Sequence, residues 1–116
     1  MNELIINKYN SRLLESKQYN KVFSFTDVKK SNQHILLLGH KTNLPFARLG
    51  LVVAKKKIPL AVNRNRFKRL AKAHFYQNIH KLPSLDIIIL TKQDISSLTK
   101  TEQNNIFSKV FSKLTQ

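Results

Sequence analysis

In the seven residues NRNRFKR, at 63–69, four cations and two amides surround one aromatic, Phe67. As a helix this segment repels itself. Arg64–Lys68, Arg66–Arg69, Lys68–Lys72 and Arg69–Lys72 stand three or four residues apart, and each such pair costs about a few tenths of a kcal/mol. Arg64 and Arg66 also sit at the end of the helix where the dipole disfavours positive charge. Such a helix persists only if its other face is held by something else. On a helical wheel Phe67, Leu70, Ala71, Phe75 and Ile79 gather on one side. Asn65, Arg66, Arg69, Lys72, Tyr76 and His80 fall opposite, with Arg64 at the entry and Lys68 at the border. The chain must therefore supply a layer beneath the apolar side and leave the cations outside. No Pro or Gly intrudes before Pro83, and Asn63 is a good cap, so the helix is predicted to start near Asn63.

That charge is not a local accident. The chain has 116 residues, 21 Lys plus Arg against 6 Asp plus Glu, and a formal charge of +15. No acid lies between residues 29 and 85, so the basic face is not the usual solvated mixture of Lys and Glu. A surface this basic implies a polyanionic partner, nucleic acid first and an anionic membrane second. Arginine is the residue for forked phosphate recognition, and a helix N-terminus favours anions. Lys55, Lys56 and Lys57 extend the patch just upstream. The length predicts a single domain, 1–116, with residues 1–14 a loosely ordered extension. The absence of cysteine excludes a disulfide framework and a thiolate metal site. The first residues mix polar and apolar too finely for a signal peptide, and the longest apolar run, LDIIIL, contains an Asp, so the expected location is the cytoplasm.

The remaining elements follow from periodicity. Residues 16–25 read as a short helix capped by Ser16, with Tyr19, Val22 and Phe23 as its stripe. HILLLGHK (34–41) and RLGLVVAK (48–55) read as strands joined through TNLP, for which a hairpin is the natural connection. A further short strand is possible within 21–33. LDIIIL (85–90) reads as a strand buried on both faces. If it lies parallel to the strand before the basic helix, the three form a β-α-β crossover. The last helix starts at Thr99, which has capping-box spacing to Glu102, and Ile106, Phe107, Val110, Phe111 and Leu114 form its stripe. The result is an α+β sandwich of helices on a small sheet.

The segment RLGLVVAKKKIPLAVNRNRFKRLAKAHF resembles the core of the bacterial ribonuclease P protein subunit. The family's Gly-bearing strand ending in Lys-Lys corresponds to residues 48–56. Its Arg-Asn-Arg-x-Lys-Arg helix corresponds to Arg64, Asn65, Arg66, Lys68 and Arg69. RLLESKQYNKVF is similar to the family's first helix, through Tyr19, Val22 and Phe23, and LPSLDIIIL to its Asp-led strand, through Asp86; residues 12–115 can be laid on the pattern. The resemblance implies the order α-β-β-β-α-β-α, a mainly antiparallel sheet, and a left-handed crossover through the basic helix, against the usual hand. It implies a protein partner of a catalytic RNA, bound 1:1, that assists Mg²⁺-dependent removal of the 5′ leader from precursor tRNA, the Mg²⁺ being held mainly by the RNA. Arg64, Asn65, Arg66, Lys68, Arg69, Lys72, Lys55 and Lys56 would contact that RNA. Lys72 and Tyr76 stand where the family favours Arg, which removes the guanidinium fork at both places.

The resemblance also implies a leader-binding cleft between the first helix and the sheet, lined by Tyr19, Phe23, Val52, Ala54 and Lys56. Stacking of bases on rings over a cationic floor suits a single strand. Spacing alone equally allows Tyr19, Val22 and Phe23 to be core. The acids at 3, 15, 27, 86, 94 and 102 and the histidines at 34, 40, 74 and 80 have no spacing that builds a metal or two-metal site. His74, on the apolar side, reads as a packed imidazole. The polypeptide is accordingly expected to have no catalytic residue and no metal site of its own. The alternatives are a structural RNA-binding protein such as one of the ribosome, a duplex-DNA reader using Asn65, and a membrane-surface protein; neither DNA nor membrane is the expected partner.

Overall fold

LDIIIL forms the strand around which everything else is arranged. The computed structural model describes residues 16–115, in the order α1 (Ser16–Ser24), β1 (Val28–Ser31), β2 (Ile35–Lys41), β3 (Arg48–Val52), α2 (Ala61–Gln77), β4 (Leu85–Thr91) and α3 (Lys100–Leu114). The sheet order is β1-β2-β4-β3. β4 runs antiparallel to β2 and parallel to β3. Leu85, Ile87 and Ile89 point into the larger core, with Phe67, Ala71 and Phe75 of α2 and Phe107, Val110 and Phe111 of α3. Ile88 faces the other way, into a smaller core with Leu38 and Val22 of α1. A run with almost no polar position is stable only where both faces are covered, and here two helical layers cover them.

The expected hairpin between β2 and β3 does not form. β4 lies between the two strands, and β2 instead pairs with the short strand β1, in register Val28–Gly39 through Ser31–Leu36. The physical reason is the composition of β4, which demands the central position. The connection after β2 therefore crosses the start of β4, where Thr42 N donates to Ser84 O at 3.1 Å. β3, α2 and β4 make the parallel crossover.

Helix boundaries also depart from the sequence reading. α2 begins at Ala61, with Leu60 as an extended N-cap residue that makes no side-chain cap. Asn63 lies in the first turn. Pro59 sits just outside the helix, where its fixed φ and missing N–H cost nothing. The helix ends at Gln77; Asn78 closes it with its backbone N–H on Phe75 O and its side-chain amide on His74 O. Ile79 still reaches the core from the following turn. At α3 the capping box forms as read: Thr99 Oγ1 accepts from Glu102 N, and Glu102 Oε1 accepts from Thr99 N, both at 3.1 Å. The bond from Thr99 N, followed by the Thr99 hydroxyl, holds the Glu102 carboxyl below its usual range. Ser16 is the first described residue of α1, and the extension read over residues 1–14 lies outside the described residues.

One charged pair sits inside this frame. Arg48 of β3 and Asp86 of β4 are register partners, and the guanidinium forks onto the carboxylate through Nε at 2.7 Å and Nη2 at 2.6 Å. Asp86 is buried. We predict that Asp86→Asn costs about 3 kcal/mol in urea unfolding, because it strands a partly buried guanidinium. Replacing both partners by apolar residues should cost much less.

Candidate nucleic-acid interface

The core contacts of α2 decide which cations are presented and where. Phe67 meets Phe107 edge-on at 5.2 Å between ring centres, and Phe75 lies 6.4 Å from Phe111. His74 is a packed imidazole, as its position predicted. It stacks on Phe107 at 5.8 Å and its Nε2 lies 2.9 Å from Asn104 Oδ1, an acceptor, so Nε2 carries the proton. The Asn104 amide donates in turn to Lys100 O. With this face fixed, the basic residues divide into two groups.

Arg66 and Arg69 are exposed. They flank a groove between α2 and α3 that Leu70, Ala73, Lys100, Gln103 and Asn104 complete. Lys100 is a cation of this surface that the sequence pattern does not assign; its place in the first turn of a separate helix gives no signal. Lys68 and Lys72 lie on the other flank of α2. With Tyr76 they border a pocket closed by Leu49, Gly50 and Leu51 of β3 and by Tyr19 of α1. Tyr76 also packs against the large core, and Leu70, read as core, is only partly buried.

Arg64 has a different position from its neighbours. Its Nη1 donates to Ile58 O at 3.0 Å and to Pro59 O at 2.8 Å. It thus ties the start of α2 to the segment that carries Lys55, Lys56 and Lys57. Those three lysines are exposed and lie in a turn, not at the end of a strand, because β3 stops at Val52. Lys57 N and Ile58 N both donate to Ala54 O at 3.0 Å and close that turn. Asn65 is exposed on the first turns of α2.

On the opposite face of the sheet, α1 packs over β2 and β4 and leaves β3, an edge strand, less covered. The aromatic stripe of α1 divides. Val22 is fully buried, Tyr19 is half-buried against the small core with Val52, and Phe23 is 46% exposed. The core alternative thus describes Val22 but not Phe23. Ala54 and Lys56 are exposed beyond the end of β3. Phe25, which the helical stripe does not include, is 64% exposed, its ring 6.1 Å from that of His40. An aromatic just past a helix end has no periodicity to mark it.

The fold and the basic helix agree with one family. The Ribonuclease P family model matches residues 8–115. The chain belongs to the ribonuclease P protein family. Among its relatives, the ribonuclease P protein component of Saccharophagus degradans is 41% identical over 103 residues, which cover 89% of this chain and 76% of that one. That of Pseudomonas aeruginosa is 37% identical with the same coverage. Among solved structures, the Staphylococcus aureus RNase P protein superposes with a TM-score of 0.81 at 21% identity, over 91% of this chain and 98% of that one. The Thermotoga maritima RNase P protein gives 0.75 at 24%, over 90% and 94%. These likenesses establish the shared α-β-β-β-α-β-α architecture. As a ribonuclease P protein subunit, the chain is part of an RNA-processing enzyme complex whose partner is RNase P RNA.

The geometry of Arg64 makes a prediction about the lysine turn. Arg64→Ala should leave the fold intact but speed amide hydrogen exchange at Lys57 and Ile58, whereas Arg66→Ala should leave both unchanged.

Proposed function

We propose that this protein grips the RNase P RNA with the basic side of α2 and steers the single-stranded 5′ leader of precursor tRNA along α1 and the edge of β3, one protein to one RNA. The leader is then removed by Mg²⁺-dependent chemistry of the RNA. The observation that carries the reading is that the aromatic face of α2 is locked into the core while Arg66 and Arg69 stay exposed beside Lys100. A rigid array of cations loses little entropy on meeting phosphates, and binding to a phosphate backbone is driven by release of counterions. Arg66, Arg69, Asn65, Lys68, Lys72, Lys55 and Lys56 are the proposed contacts with the RNA. Arg64 contributes by fixing the lysine turn against α2.

The leader is proposed to run past Tyr19 and Phe23, over Val52 and Ala54 toward Lys56. The exposed Phe23 ring and half-buried Tyr19 ring offer stacking faces, each worth about 1–3 kcal/mol per base. Among the described residues no three His, Asp or Glu side chains stand together as a metal site. In this reading the Mg²⁺ is held by the RNA and not by the polypeptide. Its own part is to bind, orient and concentrate.

Two outcomes are expected. Arg66→Ala or Arg69→Ala should weaken binding to the catalytic RNA and reduce the slope of log K against log salt by about one for each phosphate no longer neutralised. In the assembled enzyme, Phe23→Ala should weaken precursor tRNA while leaving mature tRNA unchanged. Equal weakening of both, with a lowered melting temperature, would assign Phe23 to stability instead.

A further inference from the structure

Two facing stripes build the groove between α2 and α3. Arg66, Arg69, Leu70 and Ala73 stand at i, i+3, i+4 and i+7 on α2, and Lys100, Gln103 and Asn104 at i, i+3 and i+4 on α3. That spacing puts each set on one face of its helix. The three cations are exposed, and no acid lines the groove. Among the described residues Arg66, Arg69 and Lys100 form no ion pair. Leu70 and Ala73 give the groove an apolar wall. The amides opposite are held in place. Asn104 is engaged at both ends, with Oδ1 on His74 Nε2 and Nδ2 on Lys100 O. Gln103 is only 7% exposed. Its Nε2 donates to Leu98 O at 2.9 Å, which fixes the amide and leaves Oε1 as a spare acceptor. Among the described residues Oε1 has no hydrogen-bond partner, and it is not shut off from solvent.

We propose that this groove receives one unpaired base of the RNase P RNA, turned out of its strand and bearing an exocyclic amino group. The proposal rests on the reading that the Arg66–Arg69 face of α2 meets that RNA, and it names what enters between the cations. The occupant has to suit three kinds of wall at once. The cations call for phosphate. A phosphate alone does not suit the rest, because its oxygens are acceptors like Gln103 Oε1, and it gains nothing from Leu70 and Ala73. A nucleotide suits all three. Its phosphates stay outside with the cations, its base lies against the apolar wall, and an N–H of the base donates to Oε1. Guanidinium planes such as those of Arg66 and Arg69 also stack on base faces. The base must be unpaired, since pairing occupies its donors. Adenine, cytosine and guanine each offer an amino group. The N–H of uracil is flanked by two carbonyl oxygens, which repel the same acceptor. The volume of the groove, about 330 Å³, is at the low end for small-molecule sites, which suits one base and not a stack of them.

The test is base-by-base chemical probing of RNase P RNA, free and bound to the full-length protein, with dimethyl sulfate, kethoxal and carbodiimide, which between them read all four bases. Wild type should shield at least one unpaired adenine, cytosine or guanine. Gln103→Met should return that base to its reactivity in free RNA and weaken binding about fivefold, the effect of one lost hydrogen bond. Ala73→Leu fills the groove from an exposed position of α2, so it should uncover the same base with the melting temperature unchanged. It controls for any loss of stability in Gln103→Met, which also removes the bond to Leu98 O. In both variants the salt dependence of binding should keep the wild-type slope, because Arg66 and Arg69 remain. Shielding that survives either substitution, or a groove-dependent base that proves to be uracil, would overturn the proposal while RNA still binds through its phosphates. Absence of RNA binding by the wild type would overturn the underlying reading along with it.

Discussion

Burial of β4 on both faces is the constraint on which the rest depends. Its isoleucines are fully enclosed, and a strand of that composition has no stable place at an edge or an open face. Placing it at the centre separates β2 from β3 and makes β3 an edge. It also requires a helical crossover to cover the face shared with α3. α2 is that crossover. Its aromatic side is consumed by the core, so its cations have only the outside left.

This arrangement explains how a self-repelling helix remains ordered. The contacts among Phe67, Phe75, Phe107 and Phe111, burying side chains worth about 1.5–3 kcal/mol each, outweigh like-charge pairs worth about a few tenths each. The core keeps its charge to the Arg48–Asp86 pair, whose carboxylate is buried and satisfied. The remaining positive charge is spread over two flanks of α2, the lysine turn and the rim of the α1 face. A partner with an extended, folded phosphate surface can meet all of these at once. A membrane surface could reach fewer of them, because the apolar side of α2 is committed to the core.

Much of this is legible in the residues. The wheel of α2, the Thr99 capping box, the double-sided burial of LDIIIL and the packing of His74 all follow from periodicity and local chemistry. The pairing of β2 does not, because strand order is decided by which segment most needs the centre, a comparison across the whole chain. The start of α2 is not at Asn63, because Pro59 and an uncapped Leu60 set it instead. The role of Arg64 is invisible in the sequence, since its carbonyl partners belong to the turn before the helix. In α1, spacing groups Tyr19, Val22 and Phe23, but only the crossing position over Leu38 and Ile88 decides that Val22 is enclosed and Phe23 is not.

We propose that the sheet-backed array of cations serves a catalytic RNA. The most direct measurement is the rate of 5′ leader removal from precursor tRNA by RNase P RNA, at a Mg²⁺ concentration where the RNA alone is nearly inactive. Adding the protein should restore cleavage many-fold, and the protein alone should cleave nothing. No acceleration by the protein, or leader removal in the absence of the RNA, would contradict it.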